Sequence, residues 1–355
     1  MTHDRRATFR CARVAAVALA LGIFSSVGIA GVSAQDATPE ASPATVACVS
    51  PGLPPGTPTP MDDMAGMDMG TPAADESMDM DMGSPAAVEE APAAVGAAAD
   101  EATTAAVMGV LENYVACYNE GQASGDPGLY VALESQNYVE SQGYATRYDR
   151  AASEVGSPFP TATLLDADNV QTWDDGRVSV DAQVLVGEYW LNHWQIFFAQ
   201  GEDGTWLYDE QVNLPAQPDA DFVAINGLNI TETKDESTGE ITYAFVSYSG
   251  SWDFPQTEAI VFNVMNSGEE AHEAILVQLP DGADPMGILD GSIDMSQVKF
   301  IGVAAPILPG TSVDLTVMNL PVGTYTLVCF FPGPDGSPHA AHGMIQQFNI
   351  VAPAA

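Results

Sequence analysis

The sequence predicts two folded domains, an α+β domain over residues 101–214 and an all-β sandwich over residues 220–353. Three observations support this expectation: an amphipathic helical repeat near residue 110, long strands after residue 177, and seven short strands after residue 221. Helices followed by long strands are typical of α+β domains, and short strands divided by turn residues are typical of sandwiches. The proline-containing stretch LPAQPDAD, residues 214–221, separates the two domains.

The first domain begins with a helical pattern. Its apolar residues follow the i, i+3, i+4, i+7 spacing of an amphipathic helix and are Val107, Val110, Leu111, Tyr114, Val115 and Tyr118. Asp126 and Pro127 predict the start of a second helix, because an N-cap aspartate and a proline in the first turn satisfy the helix start without losing a hydrogen bond.

Strand patterns follow these helices. RVSVDAQVLVG alternates apolar residues on one face, and the runs YWLNHWQIFFAQ and TWLYDEQVNL are separated by the turn GEDG. The apolar face consists of Val178, Val180, Ala182, Val184 and Val186. Together with YVACYNEGQASGDPGLYVAL, this pattern resembles the SnoaL-like, ketosteroid-isomerase-like cone fold.

That resemblance implies a curved sheet and helices around an apolar pocket, which some members use for acid–base chemistry and many use for binding or dimerisation. The polar residues that could face such a pocket are Tyr114, His193 and Asp209. A lone histidine among aromatic strand residues is more often a packing or edge residue than a base, so we predict no catalytic residue here.

The second domain reads as an all-β pattern with turn residues between its strands. The predicted strands are FVAINGLNITE, EITYAFVSYSG, EAIVFNVMNSG, AHEAILVQLP, SVDLTVMNL, GTYTLVCFF and MIQQFNIV. Three longer stretches make this sandwich specific: VFNVMNSGEEAHEAILVQL, LPGTSVDLTVMNLPVGTYTLVCF and PHAAHGMIQQFNIV. Together they resemble a cupredoxin, the family of blue copper proteins, over residues 220–353, which implies a Greek-key sandwich.

The cupredoxin resemblance implies one type 1 copper with four ligands. Carried over by position, they are His272 on an early strand, the Cys329 thiolate, the His339 imidazole and the weak axial Met344. Two imidazoles, a thiolate and a long thioether suit copper in both oxidation states. The interval FFPGPDGSP between Cys329 and His339 is longer than in small members of the family, and His342 is an alternative imidazole.

Each of these residues also has a structural interpretation. His272 could form a strand-edge pair with Glu273, Cys329 could be a buried thiol and Met344 a core methionine. The order of all four in a chain with four histidines after residue 34 favours the metal site.

The N-terminal third predicts export and a spacer. Residues 1–34 contain a basic start, an apolar run and a Val-Ser-Ala cleavage site, which are typical of a signal peptide, and residues 35–100 read as a disordered linker rich in Met, Asp, Pro and Ala. The predicted location is periplasmic, cell-envelope or extracellular, with no membrane span in the mature chain.

Seven of the fourteen methionines lie in MDDMAGMDMG and SMDMDMG within this linker. They are Met61, Met64, Met67, Met69, Met78, Met80 and Met82. Thioethers are soft ligands that suit Cu(I), so the stretch resembles the Met/Asp-rich segments of exported copper-handling proteins. The alternative is a linker whose composition has drifted without function.

Removal of residues 1–34 also removes Cys11 and leaves three cysteines. In an oxidising compartment, the simplest hypothesis pairs Cys48 with Cys117 and leaves Cys329 as a free thiolate.

The acidic balance bears on partners. The whole chain has a formal charge of −39, and loss of the signal, which holds four of nine basic and one of 48 acidic residues, brings it to −42. Such a surface repels phosphate, which argues against nucleic acid and leaves basic proteins or cations.

The sequence therefore predicts an exported single-electron carrier rather than an enzyme, with a basic redox partner and a possible dimer through the cone domain. His339 is expected near the surface, beside an apolar docking patch of Pro338, Ala340 and Ala341. Copper sequestration or delivery by the methionine segment is one alternative, and a metal-free scaffold with a ligand-binding cone is another. Oxidases and nitrite reductases need further copper centres built from many histidines. Four histidines after residue 34 are too few for such centres, so neither class of enzyme is predicted.

Overall fold

The computed structural model describes Cys48, residues 96–156 and residues 159–353. The expected signal peptide, the methionine-rich stretch and nearly all of the expected linker lie outside the described residues. Within the described part, no helix is long and apolar enough to cross a membrane. The helices are α1 (Glu101–Ser124), α2 (Gly128–Val131), α3 (Gln136–Ser141), α4 (Arg147–Glu154) and α5 (Gly287–Asp290). The strands are β1 (Ala97–Ala98), β2 (Ala162–Thr172), β3 (Val178–Val186), β4 (Trp190–Gln200), β5 (Trp206–Leu214), β6 (Val223–Lys234), β7 (Ile241–Ser247), β8 (Asp253–Pro255), β9 (Ala259–Asn266), β10 (His272–Gln278), β11 (Lys299–Ile307), β12 (Ser312–Met318), β13 (Gly323–Val328) and β14 (Ile345–Val351).

Helix α1 confirms the first helical prediction. Asp100 caps it by accepting a hydrogen bond from the Thr103 amide at 2.7 Å, and the helix ends at Gly125 with a left-handed φ of 71°. Val107 and Leu111 are buried against the sheet, and the other residues of the predicted apolar face pack at least partly against the core. The second predicted helix is the single turn α2, and its N-cap position is Pro127 rather than Asp126.

The four long strands β2 to β5 form an antiparallel sheet under these helices. All five apolar residues predicted to share one face of β3 are buried, as period-two alternation requires. They pack with Val107, Leu111, Ile196, Phe198 and Tyr208 in one apolar core. Residues 96–214 thus fold as helices on an antiparallel sheet, and the resemblance of this part to a SnoaL-like cone stays a prediction.

The following nine strands form a two-sheet sandwich. One sheet has the order β12-β9-β6-β7 and the other has the order β11-β10-β13-β14-β8. Side chains from both sheets make one core, which includes Leu228, Phe262, Leu276, Leu315 and Phe348. The seven predicted strands are present, and β8 and β11 are strands that the sequence analysis did not predict.

The two parts of the chain share a sheet. Strand β4 pairs with β5 through most of its length, and its first residues, Trp190 and Leu191, pair with Val317 and Thr316 of β12. Together these strands make a nine-stranded sheet that runs from the α+β part into the sandwich. Trp190 is packed against both apolar cores. The parts of the chain before and after residues 214–221 are therefore joined by backbone hydrogen bonds between β4 and β12.

The expected pairing of Cys48 with Cys117 is confirmed. A disulfide joins Cys48 to Cys117 of α1 across a sequence separation of 69 residues. Cys329 is a free, buried cysteine.

Candidate metal centre

His272, Cys329 and His339 come together because their strands are neighbours. His272 begins β10 and Cys329 directly follows β13, and these strands pair with Ile275 opposite Val328. His339 begins a short 3-10 turn, His339–His342, on the loop between β13 and β14. Backbone hydrogen bonds fold this loop back: the Ala340 amide donates to the Cys329 carbonyl at 2.9 Å.

The three side chains offer donor atoms that lie within 4.8 Å of one another. His272 Nδ1 is 2.9 Å from His339 Nδ1, and His339 Nδ1 is 3.6 Å from Cys329 Sγ. Zinc bonds to imidazole nitrogen are about 2.0–2.1 Å long and those to sulfur about 2.3 Å, so separations of 2.9 Å and 3.6 Å are short enough for one ion to bond both atoms of each pair. The donor set of two imidazoles and one thiol is consistent with one copper ion.

Burial tunes the protonation of these groups. It lowers the pKa of His272 and His339, and the neighbouring His272 lowers that of His339 further. Both rings are thus neutral at physiological pH, which is the form that binds metals. Burial raises the pKa of Cys329 to about 12, so the thiol releases its proton to solvent only when a strongly bound cation takes the place of that proton on the sulfur.

One backbone donor prepares the sulfur. The Glu273 amide lies 3.5 Å from Cys329 Sγ and points its N–H at it. The Glu273 carboxyl in turn accepts from the Phe330 amide at 2.8 Å, so it ties β10 to the residue after the cysteine. Glu273 thus contacts the sulfur directly and also fixes the backbone next to Cys329.

The outer nitrogen of each imidazole contacts a carboxylate. His272 Nε2 lies 3.0 Å from Glu232 Oε1, and His339 Nε2 lies 3.0 Å from Glu270 Oε2. The Tyr243 ring stacks on His339 with 4.0 Å between centroids. These three residues were not predicted from the sequence, in which the available signal was that Glu270 stands two positions before His272.

His339, which is expected near the surface, is buried in the structure. Both His339 and Ala340 have no exposed area, because Tyr243 covers the ring and the loop packs inward. Of the expected docking patch, Ala341 is exposed, Pro338 is half-buried and Ala340 is in the interior.

Met344 and His342 lie beside this group in the same loop. Met344 is fully buried, and its backbone bonds both histidine and cysteine: its amide donates to the His339 carbonyl at 3.0 Å and its carbonyl accepts from the Cys329 amide at 3.2 Å. His342 is partly exposed, and its Nε2 lies 3.1 Å from Asp335 Oδ2. His342 is thus outside the His–Cys–His group, and the roles of both residues as ligands stay predictions.

The polar residues of the α+β part make hydrogen bonds within the protein. Tyr114 donates to the fully buried Glu134 at 2.9 Å, and Asp209 accepts from Ser135 Oγ at 2.6 Å. His193 Nδ1 donates to the Pro215 carbonyl at 3.0 Å. Each of the three residues that the cone resemblance singled out is therefore engaged in holding the fold.

Replacing Glu134 by glutamine is expected to flatten the pH dependence of stability. Burial raises the pKa of Glu134 above its ordinary 4.5, and Arg150, whose Nε lies 3.7 Å away, opposes the shift. A raised carboxyl pKa stabilises the fold fully below the unfolded value, and this stability is lost as the pH rises through the folded value.

The measurement is urea unfolding at a series of pH values above 4. The variant should lose less stability with rising pH than the wild type, and the exposed helix residue Glu120 replaced by glutamine serves as the control. A Glu134 variant with the wild-type slope would contradict this prediction.

Comparisons with known proteins give fold neighbours among copper proteins. No family model and no curated protein matches the chain. The chain is similar to rusticyanin from Thiobacillus ferrooxidans, at 14% identity and a TM-score of 0.26 over 37% of this chain and 77% of that one. It is also similar to auracyanin A, a "blue" copper protein from Chloroflexus aurantiacus, at 18% identity and a TM-score of 0.24 over 37% of this chain and 100% of that one. A reduced auracyanin from Roseiflexus castenholzii is similar at 16% identity and a TM-score of 0.24 over 38% of this chain and 99% of that one. Each of the three matches covers less than two fifths of this chain.

Proposed function

We propose that this chain is a type 1 copper protein that carries single electrons outside the cytoplasm. The observation that carries the proposal is the convergence of one donor atom each from His272, Cys329 and His339, all within 4.8 Å of one another and all from buried residues. A bound copper ion supplies one-electron chemistry by passing between Cu(II) and Cu(I).

The chain's own residues hold the donor atoms in place. The paired strands β10 and β13 fix His272 and Cys329, and the Glu273 amide donates to the sulfur. The buried surroundings exclude water from the donor atoms, and rigid positioning limits rearrangement when the charge changes. Met344 is proposed as the weak axial ligand, on the basis of its burial and its position in the loop.

The remaining parts of the proposal rest on the sequence. Export follows from the signal-like residues 1–34, and a basic redox partner follows from the large excess of acidic residues. A SnoaL-like fold for residues 101–214, with a dimer formed through that part, rests on the strand and helix pattern.

The test is a Cu(II) titration of the purified protein followed by visible absorption and elemental analysis. We expect one copper per chain and an intense thiolate-to-copper band, which a reductant bleaches and an oxidant restores. A colourless protein that binds several Cu(I) would favour the methionine segment and copper handling. A protein that binds neither would leave a metal-free scaffold.

The histidines provide a matched pair of variants. His339→Ala is expected to weaken Cu(II) binding by at least tenfold and remove or shift the band, because it deletes a donor atom within the group. His342→Ala is expected to leave both unchanged, because its Nε2 faces Asp335 on the surface. Equal losses in the two variants, or a loss only for His342, would contradict the assignment.

A further inference from the structure

Two carboxylates contact the outer ring nitrogens of the two histidines, one on each ring, and they bear on the chemistry of the proposed copper site. Glu232 comes from β6, and Glu270 comes from the turn between β9 and β10. Each places an oxygen 3.0 Å from the Nε2 atom of its own histidine, His272 and His339. Both carboxylates are mostly buried, with side-chain exposures of 13% and 26%.

These contacts fix the tautomer of the rings. A carboxylate is an acceptor, so each Nε2 carries the proton and each Nδ1 keeps a lone pair. The two Nδ1 atoms then face each other at 2.9 Å with the Cys329 sulfur beside them. Neutral rings with facing lone pairs repel one another, and a cation between them removes the repulsion. The two carboxylates thus prepare the donor set for a cation.

Glu232 also positions Glu270. Its Oε1 atom accepts hydrogen bonds from the backbone amides of Glu269 and Glu270, both at 2.9 Å, in addition to the contact with His272. The turn that carries Glu270 is thereby tied to β6. Gly268 in the same turn lies directly against the Glu232 carboxylate, and a Cβ atom there would collide with it.

Both charges act on the oxidation state of the ion. A carboxylate on the outer nitrogen makes an imidazole a more basic ligand. Negative charge near a metal also stabilises the higher oxidation state more, because attraction grows with the charge of the ion. Both effects favour Cu(II) over Cu(I).

We propose that Glu232 and Glu270 are positioning residues that lower the reduction potential of the copper centre. Each charged carboxylate contacts one imidazole and holds it as the tautomer that carries its proton on Nε2. This inference rests on the proposed function. It predicts that loss of either charge favours Cu(I).

The test is a spectroelectrochemical titration of the copper-loaded protein and three glutamine variants. Glu232→Gln and Glu270→Gln keep an oxygen that can accept from Nε2–H but remove the charge. We expect each to shift the Cu(II)/Cu(I) preference about tenfold, which raises the potential by about 59 mV. Glu269→Gln removes the same charge from an exposed neighbour and should change the potential much less.

A further variant and a measurement on the metal-free protein test the inference independently. Gly268→Ala, which displaces the Glu232 side chain, should raise the potential in the same direction. In the metal-free protein, nitrogen NMR should show Nε2–H on both rings, and Glu270→Ala should allow a mixture of tautomers on His339.

The outcomes distinguish a failure of the proposed function from a failure of this inference alone. A wild-type protein without a copper band would overturn the proposed function, and this inference with it. A blue wild-type protein whose Glu232 and Glu270 variants match the Glu269 variant in potential would overturn only the inference. Potentials that rise in the Glu232, Glu270 and Gly268 variants and not in the Glu269 variant would support it.

Discussion

Replacing Cys329 by serine is expected to abolish the visible copper band completely. The band arises from electron transfer between a thiolate sulfur and copper, and Cys329 is the free cysteine of the described residues. A serine hydroxyl is a harder, poorly ionised donor that does not suit copper. Absorption spectra of the copper-loaded variant and wild type, at equal protein concentration, are the measurement.

The appropriate control is Met344→Leu. Met344 and Cys329 are both fully buried beside His339, so the two variants disturb the same part of the core. Exchange of methionine for leucine conserves volume and costs less than about 1.5 kcal/mol. We expect this control to keep the band, because an axial thioether binds only weakly. A band that persists in Cys329→Ser and disappears in Met344→Leu would refute the assignment of the thiolate.

Replacing Phe348 by alanine is expected to destabilise the sandwich by about 3–5 kcal/mol. Phe348 of β14 is fully buried, and its ring centroid lies 5.4 Å from those of Phe254 and Phe262 and 5.8 Å from that of Tyr325. Truncation leaves a cavity that these rings cannot fill without movement. Chemical unfolding of the variant and wild type measures the loss.

Phe222→Ala is the matched control for this core. Phe222 is 69% exposed, so the same truncation there should change stability by less than about 0.5 kcal/mol. Phe348 also lies opposite Tyr325 on β13, and these two strands hold the ends of the loop that carries His339. We therefore expect Phe348→Ala also to release copper at lower denaturant than wild type. Equal effects of the two truncations would show that the aromatic cluster adds no stability.

Local patterns predicted much of the fold. The alternation in β3 and the helical spacing of α1 appear in the structure because each apolar face has one buried side to cover. Strand β11, with the sequence KFIGVAAPI, was missed because its alternation is weak. The pairing of β4 with β12 joins residues more than 120 positions apart, and no local pattern contains that information.

The candidate site shows the same division. The cupredoxin resemblance, carried over by position, indicated His272, Cys329 and His339, and the structure brings these three together. The carboxylates and Tyr243 come from other strands and turns, so only tertiary folding places them on the imidazoles. The burial of His339 was not predicted for the same reason, since Tyr243 of β7 covers the ring.

The disulfide between Cys48 and Cys117 affects how the chain responds to proteolysis. A single cut anywhere between these two cysteines leaves both products covalently joined, because the bond spans the cut. The methionine-rich residues 61–82 lie inside this covalent loop. One cleavage within the stretch thus leaves every methionine attached to the α+β part, and their release requires a second cut or a reductant. In an oxidising compartment the attachment is retained, since disulfides persist there.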